Sequence, residues 1–161
     1  MLRRIHPAAG VIGFLTILAF WTSTVAVELF AGAEAILAVK TAILWGMAVL
    51  IPALATAGAT GFRLAGPKPR GLVAAKQRRM PFIAANGILI LIPCAIYLQR
   101  LAAAGDFGTV FYTVQMLELA AGAVNITLMG LNVRDGLRLS RGRRHAGAHA
   151  DARSAIVDEP A

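Results

Sequence analysis

Four runs of predominantly apolar residues, at about 8 to 30, 41 to 62, 81 to 101 and 110 to 133, are separated by short polar stretches. A helix needs roughly 20 such residues to cross the hydrocarbon core of a bilayer, and each run meets that length. The pattern predicts an all-α integral membrane protein with four transmembrane helices in an up-down bundle. That domain covers 1 to 133, and a basic, disordered cytoplasmic tail follows over 134 to 161.

The fourth run is interrupted in a regular way. Gln115, Glu118, Gly122, Asn125, Met129 and Asn132 recur at intervals of three or four, so at about 100° per residue they share one helix face. Lipid offers an amide no hydrogen-bond partner, so this face should turn toward the other helices. Glu118 is the carboxylate set deepest in any run, and a charge at that depth requires a partner, a proton or a function. Two uses are open. Glu118 can hold a proton and bond to Gln115 or Asn86 as interhelical adhesive, or it can lie on a polar track that leads from the outer surface to Glu118 and onward to Asn125.

Pro52 and Pro93 fall near the middle of the second and third runs, each leaving a carbonyl four residues earlier, Ala48 or Leu89, without its donor. Bends are expected there, at about the depth of Glu118, as in carriers that bind ions or substrates between broken helices. Ala53, Ala57 and Gly61 form a small-residue seam suited to close helix packing, more readily within the bundle than between copies.

The connections are short. The first is expected around Ala31 to Lys40, and a second, around Leu101 to Thr109, has turn chemistry in Gly105, Asp106 and Gly108. A longer middle loop holds Gly66, Pro67, Pro69 and Gly71. One or two turns of interfacial helix are expected over 71 to 80, with Pro81 opening the third span.

Composition agrees with a bilayer as solvent: 58% of the 161 residues are hydrophobic, and mean hydropathy is +0.69. The net charge of +8 does not indicate nucleic acid, because its positions sort by membrane side. Arg3 and Arg4, the middle loop and the tail beyond Arg134 hold most of the cations, which makes both termini cytoplasmic by the positive-inside rule. These basic segments should meet anionic lipid headgroups. Lys40, on the other side, is expected to snorkel outward, with pairing to Glu28 or Glu118 as alternatives. The first 35 residues imitate a signal peptide, but their apolar stretch is long and is read as a retained span.

The sequence contains no Ser-His-Asp or Cys-His arrangement, phosphate loop or dinucleotide-binding glycine pattern. A single cysteine, Cys94, excludes an intramolecular disulfide and reads as a packing residue. No cofactor is expected. Haem b is the exception considered, with His6 as an axial ligand and the second ligand coming from Met80, Met129, another subunit or nothing. His145 and His149 would face a common metal only if the tail were helical.

The leading expectation is a non-enzymatic accessory or assembly component of a bacterial inner-membrane complex. A small proton-linked transporter, acting through Glu118 as a dimer with Pro52 and Pro93 shaping a cavity, is the alternative. A haem-binding redox anchor comes third.

Overall fold

The computed structural model describes residues 1 to 68 and 70 to 157, with backbone alone for Arg3 and for 142 to 157. Among the described residues the ordered elements are all helical. Helix α1 spans Leu2–Phe30, α2 Ala33–Ala65, α3 Gly71–Asn86, and α4 Ile92–Ala103. A π-helical turn, Gly87–Leu91, joins α3 to α4, and α5 runs over Thr109–Val157. Four stretches are long and apolar enough to cross a membrane: Arg4–Phe30, Ala33–Ala65, Gly71–Ala103 and Thr109–Arg141.

Helix α1 packs along α2 and α5, α4 packs against both α2 and α5, and α3 packs against α5. Large apolar side chains, among them Phe30, Trp45, Phe82 and Leu89, point away from the bundle. That apolar outer surface suits lipid, which cannot satisfy exposed polar groups. Inside, Ile36, Leu98, Ala102 and Phe111 form one core cluster, and Ile17, Ile83 and Met129 form another.

The short connections follow from local chemistry. After α4, Gly105 adopts φ 70°, and Asp106 and Gly105 donate their N–H groups to Leu101 O and Ala102 O. These are the two bonds of a Schellman end, which needs the left-handed conformation that glycine accepts without strain. Asp106 Oδ1 then accepts from Gly108 N at 3.1 Å.

Several boundaries differ from the sequence expectation. Only Ala31 and Gly32 separate α1 from α2, so Lys40 lies within α2 rather than in a loop. The interfacial turns expected over 71 to 80 are continuous with the third span, and Pro81 sits inside α3 instead of opening a helix. The helix of the fourth run, α5, extends past 133, with its backbone helical to Val157. Alanine, leucine and arginine are good helix formers, and an ion pair from Asp135 to α3 docks the extension.

The π turn has a cause in Pro93. Proline has no N–H, and its ring crowds the carbonyl four residues back. The ladder widens by one residue, and Ile92 donates to Gly87 O across the turn.

Candidate functional site

The polar stripe of α5 does face inward. Gln115 and Asn125 are 2% and 1% exposed, and Gly122 and Met129 are buried with them. Glu118 meets a cation from another helix: Lys40 Nζ donates to its Oε2 at 2.6 Å, and the Lys40 side chain is completely covered. Lys40 therefore does not snorkel. It lies seven residues into α2, about 10 Å along the axis, where its stem is enclosed by packed helices.

Gln115 Nε2 also donates to Glu118 Oε2, at 3.3 Å, while Gln115 Oε1 is buried without a hydrogen bond. Glu28, one turn beyond Thr24 on α1, leaves a buried Oε1 unbonded too. The charges of Lys40 and Glu118 both act on Glu28 from α2 and α5, and on the buried thiol of Cys94 from α4. The cluster thus gathers two carboxylates, an amide and one ammonium.

Asn125 is engaged one level further along α5. Asn86 Nδ2 donates to Asn125 Oδ1 and to Ala121 O, both at 2.8 Å, and Asn125 Nδ2 donates to Ile83 O at 3.4 Å. Asn86 consequently serves Asn125 rather than Glu118. It lies at the mouth of the π turn, next to Gly87, where an added Cβ would stand at an ordinary 3.9 Å from Asn125 Nδ2.

A cavity of about 410 Å³ lies between the helices, with Glu118 and Asn125 on its wall. The rest of the wall is overwhelmingly apolar and includes Phe20, Trp21, Ile43 and Leu119. Trp21 is fixed by its Nε1, which donates to Leu119 O at 3.0 Å, and it can approach α5 because residue 122 is glycine. A Cβ there would stand 2.9 Å from Trp21 Cδ1. Ile51 and Phe62 of α2 and Ile88 of the π turn line the cavity and are also exposed on the outside of the bundle, so the cavity opens sideways between α2 and the third span.

Pro52 and Pro93 themselves point outward, while their neighbours Ile51 and Ile92 line the cavity. Their contribution is made through the backbone. The seam residues Ala57 and Gly61 are used within the bundle, where they admit His6. His6 Nδ1 lies 3.1 Å from both Ala57 O and Thr60 Oγ1. A carbonyl can only accept, so Nδ1 carries the proton and a neutral ring keeps its lone pair on Nε2. That tautomer suits ligation through Nε2, but His6 is not part of the cavity wall. Met80 Sδ accepts from Asn132 Nδ2 at 3.8 Å, and Met129 is packed in the second core cluster. The side chains of His145 and His149 lie outside the described residues.

A second polar layer, not expected from the sequence, lies near the N-terminal half of α3 and past the apolar run of α5. Arg79 donates to Asp135 Oδ2 at 2.7 Å and to Asn132 Oδ1 at 3.3 Å, and Arg134 Nε lies 3.5 Å from the other Asp135 oxygen. Asp135 is 1% exposed although it follows the apolar run. Its spacing of three from Asn132 was the available signal, since it extends the inward stripe by one turn.

Comparison with known protein families, with curated proteins and with solved structures finds no match to this chain. Its chemistry therefore has to be read from the site alone.

Proposed function

We propose that the protein is a small proton-linked carrier of lipid-soluble molecules, with Glu118 as part of its proton-responsive element. The observation that supports this reading is the position of Glu118, held by the buried Lys40, on the wall of a lipid-open apolar cavity. Buried ion pairs are weak contributors to stability, because the desolvation cost offsets most of the attraction. Ionisable groups retained inside a membrane bundle commonly mark ion or substrate paths. The π turn and Pro93 give the third span a break beside the site, of the kind that absorbs movement between two arrangements.

The cation distribution supports a placement in which both termini are cytoplasmic, the membrane being the inner membrane of a bacterium. Anionic headgroups would then meet the middle loop and the basic part of α5. In this reading a dimer is not required to build the cavity, because one chain supplies every wall.

Proteoliposomes holding a pH-sensitive dye test the proposal. Neutral, anionic and cationic lipophilic solutes are added outside, and one class should drive proton movement that disappears in a folded Glu118→Gln variant. If no class moves protons through well-folded protein, the reading is wrong.

A second reading, an accessory component of a membrane complex, is favoured by the way Asn86, Asn125, Trp21 and Arg79 spend their polar groups holding helices together. It expects combined replacement of Gln115, Glu118 and Asn125 by apolar residues to lower stability without altering any transport phenotype.

A further inference from the structure

Resting on the carrier reading, we infer that the cavity takes a lipophilic organic monocation, a substituted ammonium or phosphonium with an aryl or alkyl body, in exchange for a proton. Three observations on different helices converge on this class. The first is charge. When ionised, Glu118 on the cavity wall and Glu28 beside it carry two negative charges against the single positive one of Lys40. Lys40 is committed to Glu118 at 2.6 Å, while a buried oxygen of Glu28 has no donor. With both carboxylates ionised the cluster is short of one positive charge, which a proton or an organic cation can supply, but not both at once.

The second is the wall. Phe20 and Trp21 on α1 and Phe62 on α2 face the cavity. Aromatic faces attract cations that have shed their water, and the attraction grows in a dry site. The third is access: the side opening between α2 and the π turn is bordered by Ile51, Ile88 and Phe62, so a molecule dissolved in the bilayer enters without crossing a polar mouth. A hydrated metal ion would find few ligands on such a wall, and an anion would meet Glu118.

Exchange follows from the charge count. With both carboxylates ionised the cluster attracts the organic cation; a proton taken up by the cluster removes that excess charge and releases it. Among the described residues, the titratable groups around the Glu118 carboxylate are Glu28 from α1, Lys40 from α2 and Cys94 from α4, and Glu118 is the one that lines the cavity.

The test uses full-length protein in nanodiscs with Trp45→Phe, a change on the lipid-facing surface that leaves Trp21 as the reporter. Methyltriphenylphosphonium should quench Trp21 saturably, and its uncharged analogue triphenylphosphine oxide should bind at least about tenfold more weakly. Lowering the pH should weaken binding of the cation alone, and Glu118→Gln should weaken it by about tenfold or more. Gly58→Leu, which fills open space on the cavity wall, should abolish it.

Equal binding of the two probes to unaltered protein would overturn the inference, as would cation binding that survives Gly58→Leu. Failure of the cation to bind while a neutral or anionic solute drives proton movement in the dye assay would overturn it and leave the carrier reading standing. Because the probe comparison is made on unaltered protein, it does not depend on any variant folding.

Discussion

Lys40 Nζ and Glu118 Oε2 meet at 2.6 Å across 78 residues of sequence, inside a bundle whose other interior groups are mostly apolar. The pair joins α2 to α5, and its Glu118 lines the cavity. It also answers the question raised by a lone carboxylate in the fourth run: the acid has a cationic partner, and the unbonded oxygens beside it belong to Glu28 and Gln115.

Removing one member of a buried pair leaves the other uncompensated, at a typical cost of about 3 to 5 kcal/mol. Lys40→Met should show that loss in a denaturant titration in mixed micelles, since it strands both carboxylates. Glu118→Gln should cost less, because Glu28 remains to face Lys40. The double replacement of Lys40 and Glu118 by Met should be more stable than Lys40→Met alone. Simple additivity of the two losses would show that the charges are not coupled.

The amide pair between Asn86 and Asn125 should behave as adhesive. Interhelical hydrogen bonds in membranes couple by roughly 0.5 to 2 kcal/mol, so a double-mutant cycle with alanine at both positions should return an interaction energy in that range. A value indistinguishable from zero would mean that the two side chains find other partners when separated.

Two glycines facing the cavity should respond oppositely to alanine. Gly122→Ala places a Cβ 2.9 Å from Trp21 Cδ1 and should lower stability by about 1 to 3 kcal/mol while shifting Trp21 emission. Gly58→Ala meets nothing within 4 Å and should be neutral or stabilising by up to about 1 kcal/mol, as alanine favours helix over glycine. Thermal unfolding and fluorescence on the two variants check both directions.

The Arg79–Asp135 pair should dock α5 to α3 beyond the apolar run. Asp135→Asn should lower stability by about 3 kcal/mol and increase proteolysis beyond Asn132. Because Asp135 is buried, added salt should mimic this change only weakly. A full mimic by salt would place the pair at the surface.

The four spans were legible because lipid imposes a coarse rule on sequence, about 20 apolar residues per crossing. The inward stripe of α5 was legible for a similar reason, as polar groups in a membrane helix must face protein. Helix ends were less so. Past Asn132 the solvent constraint relaxes, and the contact that docks Asp135 there comes from Arg79, 56 residues away. Lys40 shows the same limit. A long cation near a span end can reach water or turn inward, and only the neighbouring helices decide.

What the sequence determined by itself is therefore set by local pattern: the number of spans, their apolar surface, the polar face of α5 and the turn after α4. Periodicity and turn chemistry act within a few residues and do not need a partner. The tertiary structure decided which polar groups meet. It paired Glu118 with Lys40, gave Asn86 to Asn125, placed His6 in the seam of α2 and left a cavity beside Trp21. Each depends on how four helices rotate and cross, a choice made by packing among residues far apart in the chain, and single-helix periodicity does not encode it.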